Sequence, residues 1–392
     1  MSGRWLSVKI DSIRAAARYS LVGGPFGSNL TARDYVDEGV PVIRGSNLPD
    51  ERAFQDDGFV FVTGDKADAL ISNLAHPGDV VFTQRGTLGQ VGLIPDSAQH
   101  QRYVISQSQM KLTVNHELVN PWFVYYFFRH PNTVQQIKNQ SITSGVPHIN
   151  LGILKDFEIP LPPIRSQKAI VEILRAYDDL IENNRRRMAL LEESARLLYN
   201  EWFVRLRFPG HEHMPLVDGV PQGWGRLPLE EALVLQRGFD LPTQERQDGT
   251  VPIYGSTGVV GHHHQAKVAA PGVVTGRSGT LGSVHFVAED YWPLNTALWV
   301  KEFKRVTPLF ALFLLRAMDL KQYNGGASVP TLDRKSAHRV EILIPSKSLL
   351  RSFDDFATEV FKQIKNLESQ NQKLRAARDL LLPRLMSGDL IA

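Results

Sequence analysis

The side chains best equipped for chemistry in this chain are hydrogen-bonding groups that suit base edges and phosphates, and they come in two sets. The first set comprises Arg44-Gly45-Ser46-Asn47, Gln84-Arg85-Gly86-Thr87, Ser106-Gln107-Ser108-Gln109 and residues 141–148, with Ser144 and His148. The second comprises Tyr254-Gly255-Ser256-Thr257, Arg277-Ser278-Gly279-Thr280, Asn295-Thr296 and residues 325–331, ending at Thr331. A guanidinium can donate twice to guanine, and a carboxamide can pair with adenine. Small hydroxyls and exposed N–H groups suit phosphate oxygens. The candidate nucleic-acid contacts are therefore Arg44, Ser46, Asn47, Arg85, Thr87, Ser106, Gln107, Gln109, Ser144 and His148. Their counterparts are Tyr254, Ser256, Arg277, Ser278, Thr280, Asn295 and Thr331. The glycines of the two GTLG runs also fit tight turns between strands, and the two roles are compatible.

No catalytic or metal set is assigned. His262-His263-His264 cannot all face one ion if the segment is a strand, because alternate residues point to opposite faces. A variable recognition loop fits it better. A self-sufficient DNA methyltransferase needs an Asn/Asp-Pro-Pro-aromatic tetrapeptide, whereas the Pro-Pro here is Leu161-Pro162-Pro163-Ile164. A nuclease needs clustered carboxylates for its metal. Glu302-Phe303-Lys304 has its nearest upstream Pro-Asp far away, at Pro95-Asp96. No GxxxxGK[ST] loop occurs. A non-DNA scaffold with two binding globules on a coiled coil is the alternative that composition leaves open.

The elements that must carry these side chains occur twice. Pro147 aligns with Pro330, Ile159 with Ile342, Pro162 with Pro345, Leu191 with Leu374 and Leu198 with Leu381, each 183 positions apart. Gly86-Thr87-Leu88-Gly89 recurs as Gly279-Thr280-Leu281-Gly282, Val40-Pro41-Val42-Ile43 as Val251-Pro252-Ile253-Tyr254, and Trp5 as Trp224. So long a period describes a duplicated domain and not a solenoid. Each copy opens with short β-like runs punctuated by glycine and proline. A helix follows in each, at 121–129 and 308–316, with proline at its first position and Asn120 or Thr307 as cap.

A long segment without internal proline or glycine follows each globule. In residues 166–207 the apolar positions are Leu174, Tyr177, Ile181, Met188, Leu191, Ala195, Leu198 and Trp202, with Asn184 in line. Their alternating spacing of three and four is a coiled-coil seam, and a polar residue in such a seam fixes register. In residues 348–382 the seam comprises Phe353, Phe356, Val360, Ile364, Leu367, Leu374 and Leu381, with Asn371 in line. Its four-residue step from Val360 to Ile364 predicts local unwinding, and Pro383 is expected to end the helix. Helices of matched length pack most simply antiparallel. Forty helical residues span about 60 Å, enough to hold two globules apart. The expected fold is α+β: two mixed α/β globules, 1–162 and 208–345, with spacer helices in 163–207 and 346–392.

Bulk composition says less. The chain has 392 residues, 43% hydrophobic, and a net charge of only +3. The basic surplus lies on the two helical segments: 9 basic and 7 acidic residues in 163–207, and 8 and 6 in 346–392. Local patches, not bulk charge, must then hold any DNA. The absence of cysteine removes disulfides and thiolate zinc sites, and with no signal-like N-terminus it fits the cytoplasm.

The chain resembles the specificity subunit of type I restriction–modification systems. The resemblance spans its whole length. Its marks are Gly23-Gly24-Pro25-Phe26-Gly27-Ser28, residues 39–46 (GVPVIRGS), the two GTLG turns and Ile159-Pro160-Leu161-Pro162. The helix ends at 198–203 with Phe208-Pro209, and Leu381-Leu382-Pro383-Arg384-Leu385-Met386-Ser387-Gly388, complete it. The resemblance implies two target recognition domains, each reading half of a split, asymmetric double-stranded DNA sequence. The helices would space them and dock two modification subunits that carry S-adenosylmethionine and methylate adenine. An ATP-dependent restriction and translocation subunit would join that complex. The chain itself would be non-catalytic and hold no cofactor.

Overall fold

The computed structural model describes residues 5–142, 146–326 and 328–390. The chain forms two compact units: Met1–Arg185 with Ser369–Ala392, and Arg186–Glu368.

Both units are built on one topology. In the first, Leu21–Gly23, Gln109–Leu112, Val80–Thr83 and Val91–Leu93 lie side by side, in that order, as a four-stranded antiparallel sheet. In the second, Leu233–Arg237, Ala297–Phe303, Gly272–Gly276 and Val284–Val287 repeat the arrangement. A second sheet in each unit contains a parallel pair: Val42–Ile43 on Val104–Ile105, and Ile253–Tyr254 on Trp292–Pro293. The strands are rich in valine and buried, as the sides of a pleated core require. The second sheet has five strands in the first unit and three in the second, so the second copy is trimmed at its sheet edge.

A short apolar helix backs the first sheet in each unit. It spans Pro121–Arg129 or Pro308–Ala317, with proline in its first turn. Asn120 caps the first helix by accepting the Trp122 N–H at 2.9 Å. Thr307 caps the second by accepting the Phe310 N–H at 3.3 Å. Phe123 and Phe128, like Phe310 and Phe313, are inaccessible to solvent. Each such side chain contributes about 1.5–3 kcal/mol by leaving water. The strands Glu158–Leu161 and Glu341–Ile344 pair antiparallel with Leu6–Lys9 and Gly225–Pro228.

The first long helix runs from Ile164–Tyr199 and ends in a π-helical turn, Asn200–Val204. The second spans Lys347–Met386. In the first unit the segments of the two helices run antiparallel. In the first unit Asn184 meets Asn371, and Asp178, earlier in its helix, meets Arg378, later in its own. In the second unit Tyr199 and Trp202 pack on Phe353. Every predicted seam position of the first helix is buried or half-buried.

Two details of the second helix differ from expectation. Phe356 is 41% exposed, whereas Ala357 is fully buried. The seam therefore runs 353, 357, 360, 364, 367, 371, and the predicted interruption disappears. Size misled the reading: the methyl group of Ala357 faces the core cluster, and the larger ring of Phe356 turns outward. Pro383 does not end the helix, which continues to Met386. Proline forfeits one hydrogen bond near the C-terminus. Leu385 and Met386 are buried in the first unit's core in return. Among the described residues no helix is long and apolar enough to cross a membrane.

Candidate nucleic-acid interface

In each unit three segments meet at one end of the four-stranded sheet, and the same backbone bonds hold them. In the first unit the strand Val80–Thr83 leads into Gln84 and Arg85. The Gln84 and Arg85 N–H groups both donate to Ser108 O, at 2.7 and 3.4 Å. The Ile149 N–H donates to Gln84 O at 3.0 Å, and Arg85 bridges His148. In the second unit the Arg277 and Ser278 N–H groups donate to Thr296 O at 2.9 and 3.1 Å. The Leu332 N–H donates to Arg277 O at 2.8 Å, and Ser278 bridges Thr331. Gln84 thus corresponds to Arg277, Arg85 to Ser278, Ser108 to Thr296 and His148 to Thr331.

Glycine makes the junction possible. A Cβ on Gly24 would lie 2.0 Å from Ser106 O, and one on its counterpart Gly238 would lie 2.2 Å from Leu294 O. Both glycines donate from N–H to the neighbouring strand, to Gln109 O at 2.8 Å and Ala297 O at 3.1 Å. The GTLG turns open with φ of +95° at Gly86 and +88° at Gly279, and no heavy atom crowds a Cβ there beyond contact with Ser256. Those two glycines are needed for backbone conformation, and the turns stay open to a ligand.

The predicted contact residues divide by what holds them. Arg85 and Thr87 are exposed. The Arg85 guanidinium makes no hydrogen bond or ion pair with any described residue. Ser46 and Thr280 are exposed as well, and Ser256 and Ser278 are half-buried beside the second turn. Other candidates are engaged within the protein. Asn47 is 1% exposed; it accepts from the Arg44 N–H and donates to Gln55 O and Asp57 O, all at 3.0 Å. Gln109 is fully buried, and its amide hydrogen-bonds the Ser106 hydroxyl. Gln107 donates to Gly27 O at 2.6 Å and Leu30 O at 2.8 Å. Arg44 reaches Gly58 O at 3.3 Å. Asn295 donates to Asp240, and Arg277 donates to Asn295 O at 3.0 Å. His148 contacts Val146 O through Nδ1 at 3.1 Å, and the Thr331 hydroxyl donates to Val329 O at 3.1 Å. Ser144 lies outside the described residues.

Tyr254 sits beneath the second cluster. Its ring lies 5.9 Å from that of Tyr291 and 6.2 Å from that of His285. Burial, with Glu289 nearby, raises the Tyr254 hydroxyl above its ordinary pKa. Burial, reinforced by Arg316, lowers His285. Both groups are neutral in ordinary buffers, so neither adds charge to the surface. A cation that the sequence did not single out does: exposed Lys321, whose stem lies 3.0 Å from a Cβ built on Gly282. At the matching turn Gly89 faces Val134 at 2.7 Å. The first cluster therefore takes its charge from exposed Arg85 beside the turn, and the second carries half-buried Arg277, bonded to Asn295 O, together with exposed Lys321. Lys321 carries no motif, and only packing onto Gly282 reveals it. His263 is buried, and its Nδ1 accepts the Gln247 N–H at 3.1 Å, while His262 and His264 face outward.

A family model, the type I restriction modification DNA specificity domain, matches residues 32–193. The chain is 23% identical to the type I restriction enzyme MjaIX specificity subunit of Methanocaldococcus jannaschii, over 80% of this chain and 78% of that protein. It is 20% identical to the HindI specificity subunit of Haemophilus influenzae, over 80% of this chain and 86% of the relative. Among solved structures, the S subunit of a type I restriction-modification system from M. genitalium superposes with a TM-score of 0.54 at 18% identity. That match covers 97% of this chain and 96% of the other, and at such identity it is a likeness of fold.

Proposed function

We propose that this chain, which is similar to the specificity subunits of type I restriction–modification systems, is such a subunit and reads a bipartite, asymmetric DNA target. Residues 1–162 and 208–345 are the two recognition domains, and each reads one half-site. The segments 163–207 and 346–392 space the domains and dock two modification subunits. Those partners supply S-adenosylmethionine and the adenine methylation, and a restriction and translocation subunit joins them. The chain contributes recognition and no catalysis, and it works in the cytoplasm.

One observation carries this reading: the same backbone junction is built twice and presents different side chains. Arg85 stands where the second unit has Ser278, and His148 where it has Thr331. Equal scaffolds with unequal side chains suit two unequal half-sites. Gln84 and Arg277 differ in the same way. Glycine-lined turns let backbone N–H groups approach phosphates, while the variable side chains face base edges.

The test uses the full chain assembled with its modification subunits. Methylated sites are mapped genome-wide for the wild type, for Arg85→Ser, and for a chain with one added heptad in each long helix at 185/186 and 368/369. Arg85→Ser should relax or change one half-site and leave the other intact. One heptad adds about 10 Å of helix, and base pairs stack about 3.4 Å apart. The gap between half-sites should lengthen by about three base pairs. An unaltered target in the first variant refutes the reading site, and an unaltered gap in the second refutes the spacer.

A further inference from the structure

The helix segments of the first unit have a polar core, and those of the second have an apolar one. Asn184 is 7% exposed, and its Nδ2 donates to Asn371 Oδ1 at 3.0 Å. Asn371, 3% exposed, donates in turn to Ile181 O at 3.1 Å. Toward the globule, Arg378 pairs with Asp178 and with Asp379, the latter at 2.8 Å. The Tyr126 hydroxyl donates to the second Asp178 oxygen at 2.6 Å. The 183-residue correspondence sets an apolar side chain against each of the four. Asn184 corresponds to Leu367, Asn371 to Met188, Asp178 to Phe361 and Arg378 to Ala195. In the second unit Phe361 packs on Phe286 and Phe313 at 5.1 and 6.2 Å, Ala195 is fully buried and Leu367 is 5% exposed.

The duplication creates a pairing problem. Both long helices carry similar seams, so the first helix of one copy could lie antiparallel on the first helix of another. The seams' apolar spacing does not forbid it. The polar residues do. In that register Asn184 would face Met188 of the second copy, and Asp178 would face Ala195. In a second-helix pair, Asn371 would face Leu367 and Arg378 would face Phe361. Each such pair leaves the buried amides without partners and strips each charge of its partner across the helices, Asp178 keeping only Tyr126 and Arg378 only Asp379, and it does so twice because the pair is symmetric. An unpaired buried polar group is strongly disfavoured.

We propose that Asp178, Asn184, Asn371 and Arg378 are a self-recognition device that admits the first helix only onto the second helix. A lone asparagine in a coiled-coil core fixes register and partner number at some cost in stability. Here two asparagines satisfy one another, at positions the duplication does not repeat, and the ion pair adds the same selection with charge. The occupant excluded is a second copy of this chain in like-on-like pairing. The device keeps two unequal halves joined as one combination, and it operates whether or not the domains read DNA.

The absence of cysteine gives a clean test. A like-on-like pair of first helices in this register centres near residue 186, which brings exposed Arg187 beside its own copy. The full-length chain carrying Arg187→Cys is expressed without partners and oxidised, and the cross-linked dimer is measured. Arg196→Cys, away from the self-facing position, reports random collision. The polar set is then exchanged for its counterparts: Asp178→Phe, Asn184→Leu, Asn371→Met and Arg378→Ala. The dimer through residue 187 should rise about tenfold or more, with no rise through residue 196. Should the fourfold variant not fold, Asn184→Leu with Asn371→Met removes the amide pair alone and should raise the dimer in the same direction. A folded variant, fourfold or double, that cross-links no more than the wild-type core overturns the proposal.

Discussion

The two junction clusters share their backbone and differ in how their side chains are held. In the first unit Arg85 projects from the strand end into solvent, while Arg44, Gln107 and Gln109 are bound within the protein. In the second unit the arginine has moved back one position, to Arg277, where it is tied to Asn295 O. An exposed cation comes instead from another element, through Lys321. Main chain and side chains carry different information. Hydrogen bonds among main-chain groups fix where the three segments meet. Whether a side chain is free or already bonded fixes what the meeting place can bind.

The largest effect should come from the layer the clusters share. Gly24→Ala and Gly238→Ala both force a Cβ to within about 2 Å of a carbonyl oxygen in the neighbouring strand. Relief requires main-chain movement, so each should cost roughly 3 kcal/mol or more. Gly86→Ala and Gly279→Ala meet no crowding at their positive φ, and each should cost only about 1–2 kcal/mol. Urea midpoints of the four variants measure this. If Gly24→Ala destabilises while Gly238→Ala does not, the two junctions are not equivalent and the comparison breaks.

The next effect belongs to the layer in which they differ. Arg85→Ala removes an exposed cation with no protein partner among the described residues. It should leave the melting temperature unchanged and weaken specific DNA binding by roughly 1–3 kcal/mol, with the salt slope reduced by about 1. Arg277→Ala removes the bond to Asn295 O, so it should also lose about 1 kcal/mol of stability. Lys321→Ala should lower the salt slope by about 1, alike on matched and mismatched duplexes, as a phosphate contact would. Binding isotherms at several salt concentrations, alongside melting curves, separate these cases. An Arg85→Ala chain that melts lower but binds DNA equally would show that the arginine is structural.

Much of this was legible in the sequence because it rests on period and punctuation. The 183-residue offset, the two GTLG turns and the capped Pro121 and Pro308 helices all report local backbone requirements, which a sequence states directly. The Ala357 seam position was missed because hydrophobic patterning weighs size, whereas the helix phase that sets burial takes a methyl group as readily as a ring. Burial of Asn47 and Gln109 was not legible either. A carboxamide that would suit adenine suits a main-chain turn equally well, and only the third dimension shows Gln55 O and Asp57 O already occupying Asn47. Arg378 was missed for the reverse reason: a charged residue in a seam looks like solvent face until Asp178 and Tyr126 are seen behind it.

The smallest predicted difference between the units is in acid. His338 Nε2 accepts the Leu235 N–H at 3.0 Å. Burial lowers its pKa from the ordinary 6.5, and Arg334 acts in the same direction. Glu230 opposes the shift and Lys304 adds to it. The 183-residue counterpart of His338 is Lys155, so the first unit has no histidine at this place. Burial also lowers His130 in the first unit and His285 in the second, so all three histidines favour folding in their neutral form. The unfolded chain then binds more protons than the folded one below about pH 6.5, and stability rises with pH there. The contribution is fully present above that value and is lost as pH falls toward each depressed folded pKa. Gln at position 338 can still accept from Leu235 but cannot take up a proton. His338→Gln should therefore flatten the dependence of thermal midpoint on pH below 6.5 and leave the midpoint near pH 8 almost unmoved. Hydrogen exchange at the Leu235 amide should quicken in acid for the wild type and not for the variant. Wild-type and variant curves that run parallel from pH 8 down to pH 5 would remove His338 from the account and leave His130 and His285 as the acid-sensitive histidines.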